Sequence, residues 1–329
     1  MHYLVIGEGQ IGREIVSAAL ERGDTVTIFR RSAVDESASR ARCGTGAEAI
    51  TRIAGDVADA DAVAGAAASA DAILACFHTD YDSRAWRRDL PGRERSVLDA
   101  AARVGIPVVF PESMYGFIGE AENLREGAEF SPREEKGRIR QELIEARRAH
   151  PARTVSVVAS DLIGPTGMTG GAAVACATVL QPLAADSRPF IPGDPNVPHA
   201  LTFTPDLARA MLVAVDNADA LAMGGRDGVV HAPTDIARTF AELVEFATNA
   251  LGAKRFKMIA IPRVVLRGVG LVDRTMRELS AISDFWYRPC AMAPGILTTE
   301  YGLEPTGWED AVRATLAPAD TKTPGRSSV

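Results

Sequence analysis

The chain has 329 residues, 47% of them apolar, a formal net charge of −7 and an isoelectric point near 5.4. That content can bury a large core, and the acidic balance gives no electrostatic case for nucleic acid or an anionic membrane. Cys43, Cys76, Cys176 and Cys290 form no C-x-x-C pair, which fits neither a zinc site nor a disulfide framework and suits a reducing compartment.

The opening "MHYLVIGEGQIG" has no basic leader and reads as a first strand, not a signal peptide. Next come a helix in "GQIGREIVSAALERG" ending at Gly23, a strand "TVTIF", a strand "ITRIAG", a helix "DADAVAGAAASA" and a strand "DAILACF". A long helix closes on "RERSVLDAAARVG". "IPVVF" is a fifth strand, "PREEKGRIRQELIEARRAH" a helix with Pro132 in its first turn, and "TVSVVAS" a sixth strand. Strict alternation of strand and helix implies a parallel sheet covered on both faces. After Gly164 the rhythm breaks into the Gly/Pro-rich "GPTGMTGG" and "RPFIPGDPNVPH". Helical stretches follow near 235–251, 262–281 and 307–316, with "DFWYRP" between the last two. The expected fold class is α/β: a Rossmann doubly wound parallel sheet over residues 1–164, a smaller irregular substrate-binding portion over 165–318, and a disordered tail over 319–329. No apolar run approaches the ~20 residues that span a bilayer, so a cytoplasmic protein without a membrane partner is expected.

"LVIGEGQIGREIV" puts Gly7, Gly9 and Gly12 in G-x-G-x-x-G, with Gln10 and Ile11 opening the helix. In this frame the first glycine makes a tight turn, the second lets backbone approach a pyrophosphate, and the third brings helix close to strand. An NAD site wants an acid after the second strand; here Arg30, Arg31 and Ser32 stand there instead. Guanidinium groups suit a 2′-phosphate, so the expected cofactor is NADP(H). Asp56 and Val57, in "AGDVAD" after the third strand, are placed to meet an adenine ring, although an aspartate here also suits a helix cap.

Together, "GEGQIG", "RRS", "GDV", "ACFHTDY", "MYG" and "ASDLIGPTG" resemble the short-chain dehydrogenase/reductase superfamily, in its extended branch of nucleotide-sugar epimerases and dehydratases. The resemblance implies a Tyr-x-x-x-Lys pair on the helix after the fifth strand and a Ser or Thr before "YG". This chain departs from that pattern. None of Tyr3, Tyr81, Tyr115, Tyr287 and Tyr301 has Lys four residues on; Lys136 and Arg140 take the places of the pair, and Pro111 that of the Ser/Thr, with Ser113 two residues late. Arg140 stays cationic and is a poor proton shuttle. Lys136 suits an acid or a clamp on a carbonyl, unless it belongs to a solvated basic face with Arg138 and Arg140. His78 and Tyr115, near the carboxyl ends of strands, are the other candidate donors, while His199 and His231 are expected to be structural.

The catalytic candidates are thus Lys136, His78, Tyr115, Ser113 and Arg140, with no metal site expected. The expected function is NADP(H)-dependent oxidation or reduction of a small carbonyl- or hydroxyl-bearing metabolite with a non-standard proton donor. The alternatives are a non-redox epimerase, dehydratase or cyclase holding NADP, or a catalytically silent NADP-sensing regulator. The partner expected is a small-molecule substrate, with a homodimer left open.

Overall fold

The computed structural model describes residues 1–32, 49–169, 173–222, 227–254 and 256–317. Cys43 and the expected tail therefore lie outside the described residues. Seven strands form one sheet in the order β7-β6-β5-β4-β1-β2-β3, every neighbouring pair parallel. They are β1 (His2–Ile6), β2 (Thr25–Arg30), β3 (Ile50–Ala54), β4 (Ala72–Ala75), β5 (Val108–Ser113), β6 (Thr154–Ala159) and β7 (Gly228–His231). The order reverses direction between β1 and β4, and open parallel sheets place ligand clefts at the carboxyl ends beside such a point.

Side-chain alternation explains the two layers. Tyr3 and Val5 face α1 (Gln10–Glu21) and α5 (Thr204–Asp216), packing with Ile15, Ala19, Leu207 and Met211. Leu4 and Ile6 face the other way, packing with Val63 of α2 (Ala60–Ala67) and with Val97 and Leu98 of α3 (Ser83–Val104). Beside α3 lies α4 (Glu135–Ala149), whose Ile139 and Leu143 meet Trp86 and Leu90. Each such fully buried aliphatic side chain contributes about 1.5–3 kcal/mol by leaving water.

The rest of the chain builds a cap from α6 (Phe240–Leu251), α7 (Arg263–Val269), α8 (Arg274–Ala281) and α9 (Trp308–Leu316). Phe240, Leu243, Phe285, Trp286, Trp308 and Val312 form its core. Among the described residues no helix is long and apolar enough to cross a membrane.

Three expectations need correction. The sheet does not end near residue 164, because α5 and β7 return to it, β7 pairing with β6. An apolar helix and an apolar strand both needed a covered face, and the sheet edge offered one. Pro132 lies outside the first turn of α4: Glu134 caps that helix, its carboxylate accepting from the amides of Lys136 and Gly137 at 2.7 and 2.6 Å. The stretch 235–251 becomes helical only from Phe240, where Thr239 and Glu242 form a reciprocal capping box.

Candidate functional site

A single cleft of ≈1430 Å3 runs from the glycine loop, past the ends of β4 and β5, to the cap. At its first end packing dictates two of the three glycines. Gly7 has φ +99° and a Cβ there would lie 2.9 Å from the Cys76 carbonyl oxygen; at Gly12 it would lie 2.0 Å from that of Gly7. Gly9 is different: a Cβ would meet nothing within 4 Å, so its bareness serves the cleft and not the core. Helix α1 carries no side-chain cap and no acidic residue in its first turn, leaving its amide donors for an anion. The Gln10 Nε2 is buried without a partner. These features fit a dinucleotide pyrophosphate.

Arg30, Arg31, Ser32, Ile11 and Val57 also line the cleft, but Arg30 is already engaged. Its Nη1 lies 2.6 Å from Glu8 Oε2, and Arg52 Nη2 lies 3.3 Å from Glu8 Oε1. Two arginines thus pair with one glutamate, so this end of the cleft keeps a positive balance. Asp56 is exposed and its Oδ1 accepts from the Ala58 amide at 3.0 Å, while Asp59 caps α2. The carboxylate of Asp56 is thus partly used by its own turn.

Further along, α4 presents Lys136 and Arg140 one turn apart, yet to different surroundings. Lys136 is fully buried and does not line the cleft. Its ammonium pairs with Glu278 of α8 and lies 4.3 Å from the Tyr81 ring centroid. A solvated basic face is excluded for this residue, and direct contact with a ligand is closed to it in this arrangement. Arg140 does reach the cleft: Nη2 is 2.7 Å from His78 Nε2, Nε is 3.4 Å from Glu112 Oε1, and the guanidinium lies 4.8 Å from the Trp86 ring centroid.

His78 donates from Nδ1 to the Thr79 carbonyl at 2.9 Å, which makes Nε2 the acceptor from Arg140. The residue is exposed at the cleft, and its ring packs edge-on against Trp86 at 4.7 Å between centroids. Desolvation, then the neighbouring Arg140 charge, push its pKa down to about 4. A histidine held neutral, with its one lone pair occupied, is a poor proton donor at neutral pH.

Ser113 lies at the end of β5 with its Oγ buried and without a partner. Tyr115 follows, its hydroxyl 3.0 Å from that of Tyr81. Burial, then the charge of Asp161, raise the Tyr115 phenol above its ordinary value, and burial does the same to Tyr81. Both remain phenols across the physiological range and hence hydrogen-bond donors. Cys76, expected in the core, sits half-buried on the cleft wall, where burial pushes its thiol up.

Behind this surface is a buried ionic network. Arg147 contacts Glu94 at 2.7 and 2.8 Å, Glu112 at 2.9 Å and the Ser156 hydroxyl at 2.9 Å. Burial opposes its charge, but Glu94 and Glu112 more than offset that and raise its pKa. Glu112 is shared between Arg147 and Arg140, so the network fixes the arginine that faces the cleft.

Sequence reasoning missed Tyr81, Trp86, Asp161 and Glu278. Asp161 lines the cleft and accepts at Oδ2 from His199 Nε2 at 3.0 Å and Trp286 Nε1 at 2.7 Å. Its position after β6 was the one available signal, since ligands gather at strand carboxyl ends. Among the described residues no cluster of His, Cys, Asp and Glu could hold a metal ion.

The cleft and its glycine loop have the form of a Rossmann dinucleotide-binding site. Residues 7–155 match the family model described as NAD(P)H-binding. Across the whole chain, the solved structures it is similar to include the Bordetella bronchiseptica enzyme WbmH in complex with NAD+, at 18% identity and TM-score 0.70, covering 96% of this chain and 97% of that one. The Thermus thermophilus UDP-glucose 4-epimerase complex with NAD aligns at 17% identity and TM-score 0.69, covering 96% and 98%. The Bacillus cereus UDP-N-acetylglucosamine 4-epimerase aligns at 12% identity and TM-score 0.71, again covering 96% and 98%. No curated protein matches by sequence. The chain has the fold of the epimerase/dehydratase-like, extended short-chain dehydrogenases, as its motifs suggested.

Proposed function

We propose that the chain is an NADP(H)-dependent oxidoreductase of the short-chain dehydrogenase type, acting on a small carbonyl- or hydroxyl-bearing metabolite with Tyr115 as the proton donor. The observation that carries this reading is the continuity of the cleft, which joins the glycine loop to Ser113 and Tyr115 without interruption. When bound, the nicotinamide cofactor supplies or accepts the hydride. The protein's part is orientation and the proton. The amides of α1 and Gln10 Nε2 would hold the pyrophosphate, and Arg31, with Arg30 once it turns from Glu8, would hold the 2′-phosphate.

At the reacting end, Ser113 Oγ and the Tyr115 hydroxyl are the neutral donors for a substrate oxygen, and Tyr81 is hydrogen-bonded behind Tyr115 to resupply its proton. Arg140, anchored on Glu112, adds positive potential beside the developing alkoxide. His78 positions Arg140. Lys136 is assigned to structure and not to chemistry, because Tyr81 and Glu278 enclose its ammonium. A purely sensory role is set aside because the cleft is also lined by Tyr81, Trp86, Phe190 and Phe285, more aromatic surface than a cofactor sensor needs.

Calorimetry with NADPH, NADP+, NADH and NAD+ tests the cofactor half. Selective binding of an NADP form near micromolar, about −8 kcal/mol, is expected. Replacing Arg30 and Arg31 by Ala should weaken NADPH about tenfold or more and NADH far less. Equal losses for both cofactors would remove the 2′-phosphate assignment, and no binding of any would remove the enzyme reading.

A further inference from the structure

The aromatic-lined part of the cleft near Tyr115, here called the chamber, is unlike a site for a phosphorylated sugar. Its walls are Tyr81, Trp86, Tyr115, Phe190, Met276 and Phe285. Among the described residues, the cations that line the cleft are all placed elsewhere or engaged. Arg13, Arg30 and Arg31 stand at the glycine-loop end. Arg93 lies near Asp89 at 3.8 Å and reaches the His78 carbonyl at 3.3 Å; Arg140 and Arg147 share Glu112. A pyrophosphate carries two negative charges and would normally meet arginines or helix amides. Here it would meet aromatic faces and the carboxylate of Asp161, which opposes it.

Asp161 is held as a recognition group would be. The His199 and Trp286 N–H groups both donate to Oδ2, and no described residue donates to Oδ1. An ionised carboxylate accepts at both oxygens, so Oδ1 retains its capacity for a ligand. The side chain is close enough to the reacting end that its charge raises the Tyr115 phenol, after burial itself. Rings pack well on such walls; the Tyr81 and Trp86 rings already carry the Lys136 and Arg140 cations, so the attraction for a ligand's amine comes from the Asp161 carboxylate.

We infer that the chamber takes a phosphate-free, ring-bearing substrate that presents an amine or hydroxyl donor to Asp161, and not a sugar nucleotide. This rests on the oxidoreductase reading above and names the substrate class for it. His199 and Trp286 act as positioning residues for the carboxylate.

The test uses the full chain saturated with NADP+, and measures ligand contact by saturation-transfer NMR and calorimetry with four probes: 2-phenylethylamine, 2-phenylethanol, phenylacetate and UDP. The amine and the alcohol should bind, and their ratio tells a cationic from a neutral donor. Phenylacetate and UDP should bind about tenfold or more weakly than the better of the two, since a hydrogen bond to a charged group contributes ~1.5–3 kcal/mol. Asp161→Asn should weaken the better probe about tenfold. The comparison of probes on the unaltered protein stands even if that variant folds poorly. UDP or phenylacetate binding as well as the amine and the alcohol would overturn the inference. So would the absence of contact by both the amine and the alcohol at about 10 mM, a strength of only ~3 kcal/mol. Failure of NADP+ itself to bind would instead strike the reading on which the inference depends.

Discussion

Replacing Lys136 by Met removes an ammonium that joins α4 to α8 across 142 residues of sequence. Glu278 is then left buried with only the Ser83 amide at 3.3 Å and the Ser83 hydroxyl at 3.2 Å as donors. Removing one partner of a buried ion pair costs about 3–5 kcal/mol, because the remaining charge stays desolvated. The lost contact with the Tyr81 ring, ~0.5–2 kcal/mol, is part of that figure. Lys136→Met with Glu278→Leu leaves no orphan charge, so the double variant should recover most of the loss. Urea unfolding of the four proteins, followed by tryptophan fluorescence, gives the coupling energy directly. About 2 kcal/mol is expected, within the range for residues in one network. Additivity within ~0.5 kcal/mol would mean that the pair does not hold α8 to α4. The double variant should also bind NADPH as the parent does, because Lys136 is screened from the cleft. A large loss of NADPH affinity in a folded protein would return Lys136 to the site and refute its structural assignment.

Three other outcomes are expected. Glu8→Gln frees Arg30 and removes the carboxylate paired with it, so NADPH should bind several-fold more tightly by calorimetry; weaker binding would mean that Glu8 holds Arg30 in its working position. Asp227, whose carboxyl is raised by burial from 3.8 to about 6, is easier to ionise in the unfolded chain. Its stabilising protonation is complete below pH ~4 and is lost as pH rises through about 6, a swing on the order of 3 kcal/mol. Asp227→Asn should therefore raise the melting temperature at pH 8 and leave it nearly unchanged at pH 4; equal shifts at both would refute the burial argument. His78, with a pKa near 4, should stay neutral in NMR titration down to pH 5, and a midpoint near 6.5 would deny the desolvation, and with it the Arg140 contact, that hold it down.

Local signals carried the dinucleotide half of the site. The G-x-G-x-x-G spacing, the strand before it and the helix after it lie within 20 residues, so the chain's own geometry makes the loop; Gly12 is required by its contact with Gly7 inside that unit, whereas Gly7 is required by its positive φ and by the Cys76 carbonyl at the end of β4. The alternation of strands and helices likewise announced a parallel sheet, because parallel strands need crossovers. The absence of Tyr-x-x-x-Lys was readable by inspection. Tertiary structure alone decided what replaced it. Lys136 and Arg140 look equivalent on one helix, yet Tyr81 and Glu278 enclose the first, while His78 and Glu112 hold the second at the cleft. Asp161, His199 and Trp286 converge from positions up to 125 residues apart. Burial and pairing at such separations arise only when the cap closes over the sheet, and no local pattern in the sequence encodes that meeting.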